Sequence, residues 1–173
     1  DGLSESLSAG VVAHDRMWMA SNERPSSDSS RTRIRQLGWN GEVTWTSLVP
    51  ATGNWVESTA LSVVDSVVLV AMAREQAGAA PMPLVARMDT SGGSLPLVIA
   101  PANPAQPRAV LWNPPEINAL FRTTLFGLGQ GDMIFVRMTA SGQFLGAMTF
   151  GWPESEEPAA MMKDDLGAVW LVG

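Results

Sequence analysis

The chain has one histidine, and it stands beside an acid as His14-Asp15. An imidazole next to a carboxylate could take a proton or bind a metal, because it titrates near neutrality. Neither use has the company it needs. There is no second histidine, no cysteine and no Gly-x-Ser-x-Gly nucleophile elbow in the 173 residues. His14-Asp15 therefore reads as a turn, where Asp is common.

Paired carboxylates can divide acid and base roles in glycoside hydrolysis when they are held several ångströms apart. The acidic clusters here are Glu154, Glu156 and Glu157, and Asp164 and Asp165, all in polar stretches that contain Pro or Lys. They read as solvated loops. Asp89-Thr90-Ser91-Gly92-Gly93 lacks the acidic alternation and closing Glu of a calcium loop, and reads as a hairpin turn. Gly127-Leu128-Gly129-Gln130-Gly131 has the glycines of a phosphate cradle without the following Lys-Ser/Thr or a helix pattern. The sequence thus predicts no catalytic residue, no metal ligand and no cofactor, and leans away from an enzyme.

What remains is aromatic. Seven Trp and ten Met against no Tyr is an unusual set, and most of these side chains belong in a core. Four Trp lie in turn or loop contexts: Trp39 in Gly38-Trp39-Asn40-Gly41, Trp55 after Gly53-Asn54, Trp112 before Asn113-Pro114-Pro115, and Trp152 before Pro153. Exposed there, they could stack on a sugar or anchor a protein partner. These four are the candidate ligand-binding residues.

Composition narrows the partners. A net charge of −6 and a pI near 4.7 argue against nucleic acid, whose binders cluster Lys and Arg to replace counterions. Ten of the eleven basic residues are Arg, only Lys163 being Lys, a skew that fits a GC-rich genome. The longest apolar run, Leu61 to Ala73, is broken by Asp65 and too short to span a bilayer, so no membrane span is expected. The sequence opens at Asp1 with neither Met nor a basic-then-apolar leader, as after removal of an export signal. The expected location is extracellular, periplasmic or surface-exposed.

The elements that would position these residues are strands. Short apolar runs rich in Val, Ile and Thr are punctuated by Gly, Pro, Asn and Ser. Arg31-Thr32-Arg33-Ile34-Arg35 alternates with a period of two, one face wet, whereas Pro83 to Met88 and Met133 to Met138 read as covered on both faces. A strand-turn-strand phrase recurs at Ile34 to Val43, Val85 to Leu95 and Phe135 to Leu145. Its glycines at 41, 92 and 142 are separated by 92 − 41 = 51 and 142 − 92 = 50 residues, the signature of repeats.

An apolar strand precedes each phrase: Arg16 to Ala20, Val67 to Met72, and Thr124 to Leu128, with Gly167 to Gly173 opening a fourth unit. Asp15, Asp65 and Asp165 sit shortly before three of these. The repeats span roughly residues 1–53, 54–108 and 109–160 of one β domain, with a stub at 161–173. Ser21 to Ser30, Ala73 to Pro83, Pro101 to Pro107 and Pro153 to Pro158 read as linkers.

The phrase in Val85-Ala86-Arg87-Met88-Asp89-Thr90-Ser91-Gly92 and Phe135-Val136-Arg137-Met138-Thr139-Ala140-Ser141-Gly142, and more loosely in Ile34 to Gly41, resembles bacterial β-propeller repeats. The resemblance implies an all-β fold of three blade-like repeats plus the first strand of a fourth. Propellers close with four to eight blades, so it further implies a partial ring completed by a longer chain, a second copy or a partner. A β-sandwich is the rival architecture. The function expected is a non-catalytic binding or assembly module that contacts a protein or glycan through loops. The alternatives are a fragment of a propeller-type hydrolase with acids at the ring axis, and a structural subunit of a larger assembly.

Overall fold

The structure, a computed structural model, describes residues 4–26, 29–49, 55–75, 82–90, 94–98, 105–123, 131–151 and 157–173. Its regular elements are strands throughout. The first sheet is an antiparallel meander of β1 (Ser4–Ala13), β2 (Arg16–Ser26), β3 (Ser29–Leu37) and β4 (Val43–Leu48). The second repeats it with β5 (Trp55–Val64), β6 (Val67–Glu75), β7 (Met82–Asp89) and β8 (Ser94–Val98). The third uses β9 (Ala105–Asn113), β10 (Glu116–Thr123), β11 (Asp132–Thr139) and β12 (Phe144–Phe150). A hairpin of β13 (Ala160–Lys163) and β14 (Val169–Val172) follows, and among the described residues no sheet closes on itself.

Registers make the three sheets equivalent. Met17 pairs with Leu37, Val68 with Met88 and Ile117 with Met138. The second members are spaced 88 − 37 = 51 and 138 − 88 = 50, the intervals of the hairpin glycines. Each tight turn opening a sheet is solved differently: His14 and Asp15 both adopt positive φ, Asp65 does so in the second sheet, and the third has a cis Pro114-Pro115 bond. Polar residues tolerate left-handed turns best, which is why His14-Asp15 is tolerated there.

The sheets stack face to face through alternating side chains. Val68, Val70, Met72, Leu84, Ala86 and Met88 of the second sheet are buried in one cluster with Trp18, Ala20 and Ile34 of the first. Leu69, Ala71 and Val85, on its other face, join Ile117, Ala119, Phe121, Ile134, Val136 and Met138 of the third. The second sheet is therefore covered on both sides, as its unalternating apolar sequence predicts. Trp45 packs beside Trp18 with ring centroids 5.4 Å apart and planes tilted by 59°. Along one edge of the stack β1 lies against β5, β5 against β9 and β9 against β13.

Three expectations need correction. The strand that pairs with the third phrase is β10, starting at Glu116, whereas Thr124 to Leu128 lie outside the described residues. Met133 to Met138 alternates between buried and less buried positions instead of being covered on both faces. Most of the proposed linker Ser21 to Ser30 is strand, with Ser21, Asn22, Glu23 and Ser30 buried. Its polar groups are satisfied internally: Thr32 Oγ1 donates to Asn22 Oδ1 at 3.3 Å, and the Arg31 and Arg33 guanidinium groups donate to the Glu23 carboxylate. Polar composition signals a loop only when the polar groups lack one another.

Candidate functional site

The chemistry-bearing residues sort into two ends of the stack and one cleft. The outer face of the first sheet is built from the positions that, in the other two sheets, bury against the preceding sheet. Met17 there matches the fully buried Val68 and Ile117, yet is 37% exposed. Leu7, Val12, Val43 and Leu48 are exposed as well. They rim an ion-pair network in which Glu23, itself buried, takes Arg31, Arg33 and Arg35. Arg35 also reaches Glu5 and Ser21. Two acids against three arginines leave this patch at +3 − 2 = +1 in a chain of −6.

Hydrogen bonds from Arg33 above all, and from Arg31, hold the Glu23 carboxyl below the usual carboxylate value of 4.5. A carboxylate depressed on folding contributes stability that is complete above its unfolded value and lost as pH falls through its folded value. Glu23→Gln is therefore expected to lower stability at pH 7 by about 2 kcal/mol, the scale of hydrogen bonds to a charged group. Below pH 4.5 the gap between variant and parent should narrow. Urea titrations at pH 7, 5 and 3 check this; a gap that stays constant to pH 3 contradicts it.

The opposite end is the β13–β14 hairpin. Its register pairs Met162 with Trp170 and Ala160 with Val172 on one side. Met162, Trp170 and Val172 are exposed, at 55%, 58% and 46%. The Trp170 ring is fixed: its Nε1 donates to Asp164 Oδ2 at 3.0 Å, while Asp164 Oδ1 accepts from the Leu166 and Ala168 amides at 2.9 Å each. That bond, with the backbone donors, lowers the Asp164 pKa and keeps the carboxylate charged. An exposed aromatic in a single held orientation is the form that interface anchors take.

The four Trp candidates do not form one site among the described residues. Trp39 is 66% exposed on the β3–β4 turn, which is closed by bonds from Gly41 N to Gly38 O and from Gly38 N to Glu42 O, both 2.9 Å. Gly41 has φ of 82°, a left-handed conformation that residues with a side chain rarely adopt, so the turn requires a glycine there. Trp112 on β9 packs partly buried on the core, with the Arg87 guanidinium 5.5 Å from its ring centroid. It holds the second and third sheets together. Trp55 opens β5, and its side chain and all of Trp152 lie outside the described residues.

Sequence reasoning passed over Trp170 because Val169-Trp170-Leu171-Val172 is apolar at every position, so no wet face is visible. It also passed over a cleft between the third sheet and the hairpin. This cleft, about 320 Å³, is lined by the Pro114-Pro115 turn, Glu116, Asn118, Phe135, Arg137 and Val169. A lone Asn within Ile117-Asn118-Ala119-Leu120-Phe121 was the available signal. Of the acidic clusters, Glu157 bonds Arg108 at 3.2 Å and lies 2.9 Å from Arg122 Nε; Glu154 and Glu156 lie outside the described residues. Among the described residues no three His, Cys, Asp or Glu side chains converge on a metal-sized site, and no helix is long and apolar enough to cross a membrane. Comparison of the sequence with models of protein families and with curated proteins finds no match.

Proposed function

We propose that the chain is a non-catalytic β-repeat assembly module of propeller type, whose two end faces are covered by other copies of itself in a head-to-tail arrangement. The observation that carries this reading is the equivalence of faces. The outer face of the first sheet occupies the positions that the second and third sheets bury against their predecessors, and the hairpin offers an apolar row where a successor would sit.

The succession of β1, β5, β9 and β13 along one edge supports a blade-like order, since propellers place the corresponding strand of every blade nearest the axis. The apolar rim of the first face and the fixed Trp170 supply the buried area and the anchor that an interface needs. Arg31, Arg33 and Arg35 each already have a carboxylate partner, so covering them leaves only the patch's net charge of +1 for the incoming copy, itself acidic, to meet. A contact between unlike faces makes a ring when its rotation closes and a filament when it does not. The β14 edge, which pairs only with β13 among the described residues, offers backbone groups for strand addition in the same contact.

Sedimentation velocity from roughly 1 to 100 μM, the range in which modest interfaces assemble, tests the reading. The expected result is a mass that rises above the 18.4 kDa of one chain, and that falls back to it in a Trp170→Ser, Met162→Ser variant. A monomer throughout the range overturns it.

A further inference from the structure

The β3–β4 turn carries a dipeptide with a chemistry of its own. The chain has six Asn, and the residues that follow them are Glu23, Gly41, Trp55, Pro104, Pro114 and Ala119. Only Asn40 precedes a Gly, whose bare α-carbon leaves its backbone nitrogen open to the neighbouring side-chain amide. Pro104 and Pro114 have no N–H to use. Asn22 and Asn118 are buried in strands.

The turn presents Asn40 for attack by that nitrogen. Asn40 and Gly41 are both exposed, and nothing lies within 4 Å of where a Gly41 side chain would begin, so no other residue crowds the approach. Asn40 Oδ1 accepts from the Glu42 amide at 3.1 Å. That bond draws charge toward Oδ1, making Cγ more electrophilic and stabilising an oxyanion formed there. One contact opposes the reaction: the Gly41 amide donates to Gly38 O at 2.9 Å. A single turn hydrogen bond between exposed groups protects the nitrogen by less than about tenfold.

We propose that Asn40 is a self-modification site, where the Gly41 nitrogen closes on the Asn40 side chain as a succinimide and the product loosens β4. The Gly41 nitrogen, its proton taken by hydroxide, attacks Cγ, and the negative charge passes to Oδ1 opposite the Glu42 N–H. The Cγ–Nδ2 bond breaks, and Nδ2 leaves as ammonia with a proton from water. Water then opens the ring at one of its two carbonyls. Opening at Cγ leaves an ordinary aspartyl residue; opening at the backbone carbonyl leaves an isoaspartyl link that runs through Cβ and Cγ. Water enters, ammonia leaves and nothing is oxidised. The net charge goes from −6 to −6 − 1 = −7.

Both products disturb the turn. A carboxylate replaces the amide whose Nδ2 lies 3.5 Å from Glu42 Oε2, setting like charges together. The isoaspartyl form also adds a carbon to the backbone inside the ring that Gly38 N closes to Glu42 O at 2.9 Å. β4 begins at Val43, opposite Leu37, and is the outer strand of its sheet, so it is the element that frays. The reaction is intramolecular and does not rest on self-association.

The test is incubation of the full chain at pH 6 and pH 8, followed by ion exchange, peptide mass mapping and enzymatic methylation of isoaspartate. The expected result is an acidic isoform modified at Asn40 before any other Asn, containing isoaspartate, and formed faster at pH 8. The folded chain should react no more than about tenfold slower than the chain held unfolded in urea. Asn40→Gln, whose side chain needs a larger ring, should not form the isoform over the same period. In the isolated isoaspartyl form, hydrogen exchange at the Val43–Leu48 amides should be faster than in Asn40→Asp, which has the charge without the extra backbone carbon. The proposal is overturned by first modification at another Asn, by an Asn40 still intact when the unfolded chain has reacted, by the same isoform in Asn40→Gln, or by β4 exchange no faster than in Asn40→Asp.

Discussion

Val68→Asp is expected to abolish cooperative folding. Val68 is fully buried between the first and second sheets, in the cluster of Trp18, Ile34 and Met88. A carboxylate there has no partner, and an unpaired buried charge costs at least about 4 kcal/mol against a total stability of roughly 5–15 kcal/mol. Met17→Asp is the matched control. Met17 occupies the same register position in the first sheet but faces outward and is 37% exposed. At a dilution where the chain is monomeric, its cost should stay below about 1 kcal/mol. Urea denaturation followed by far-ultraviolet circular dichroism reads both. A folded Val68→Asp protein with a near-parental midpoint would mean that the first and second sheets do not stack.

Phe121→Ala should be the most damaging of the simple truncations, at about 3–5 kcal/mol. Phe121 is fully buried in the cluster that joins the second sheet to the third, among Leu69, Ala71 and Val85. Both sides of this cavity are strands held by their own ladders, so the site has little freedom to collapse onto the space left behind. Phe144, in the same sheet but 57% exposed, gives the contrast: its truncation should change stability by no more than about 0.5 kcal/mol. Equal losses at the two positions would place the core elsewhere. Because Val68 and Phe121 lie in different clusters on opposite faces of the second sheet, they report on the two sheet interfaces separately.

The sequence carries the strand order clearly where one face is wet. Arg31 to Arg35 alternates because Thr32 and Ile34 point into the stack while the arginines meet Glu23 and Glu5 outside. The repeat interval is legible because the first and third of these turns place a glycine in the left-handed region, Gly41 and Gly142, at a similar distance from equivalent cross-strand pairs. The third sheet is harder to read. β10 carries Glu116, Asn118 and Arg122 on the face that lines the cleft and meets Glu157, so its apolar signal is diluted and the neighbouring run Thr124 to Leu128 looks more strand-like.

The candidate site was less legible than the fold. A tryptophan's local sequence says that it stands near a turn, and says nothing of which side of a sheet it leaves by. Trp39 and Trp112 are each followed by Asn and a turn residue, Gly41 or Pro114, yet one projects from a turn and the other is held over Arg87. Trp170 sits in a uniformly apolar strand, and only the pairing of β13 with β14 shows that its side of the hairpin is bare. Which faces are left uncovered is a property of the stack, and no local pattern encodes it.

Head-to-tail assembly is tested most directly by complementation. One variant, Met17→Asp with Val12→Asp, blocks the outer face of the first sheet; another, Met162→Asp with Trp170→Asp, blocks the hairpin. Each alone has one intact face and no partner for it, so sedimentation equilibrium should give a monomer of 18.4 kDa for either. Mixed in equal amounts they should give a capped pair of 18.4 + 18.4 = 36.8 kDa and nothing larger. A mixture that remains monomeric while the parent chain associates, or a single variant that still assembles as the parent does, would contradict contact between the two ends.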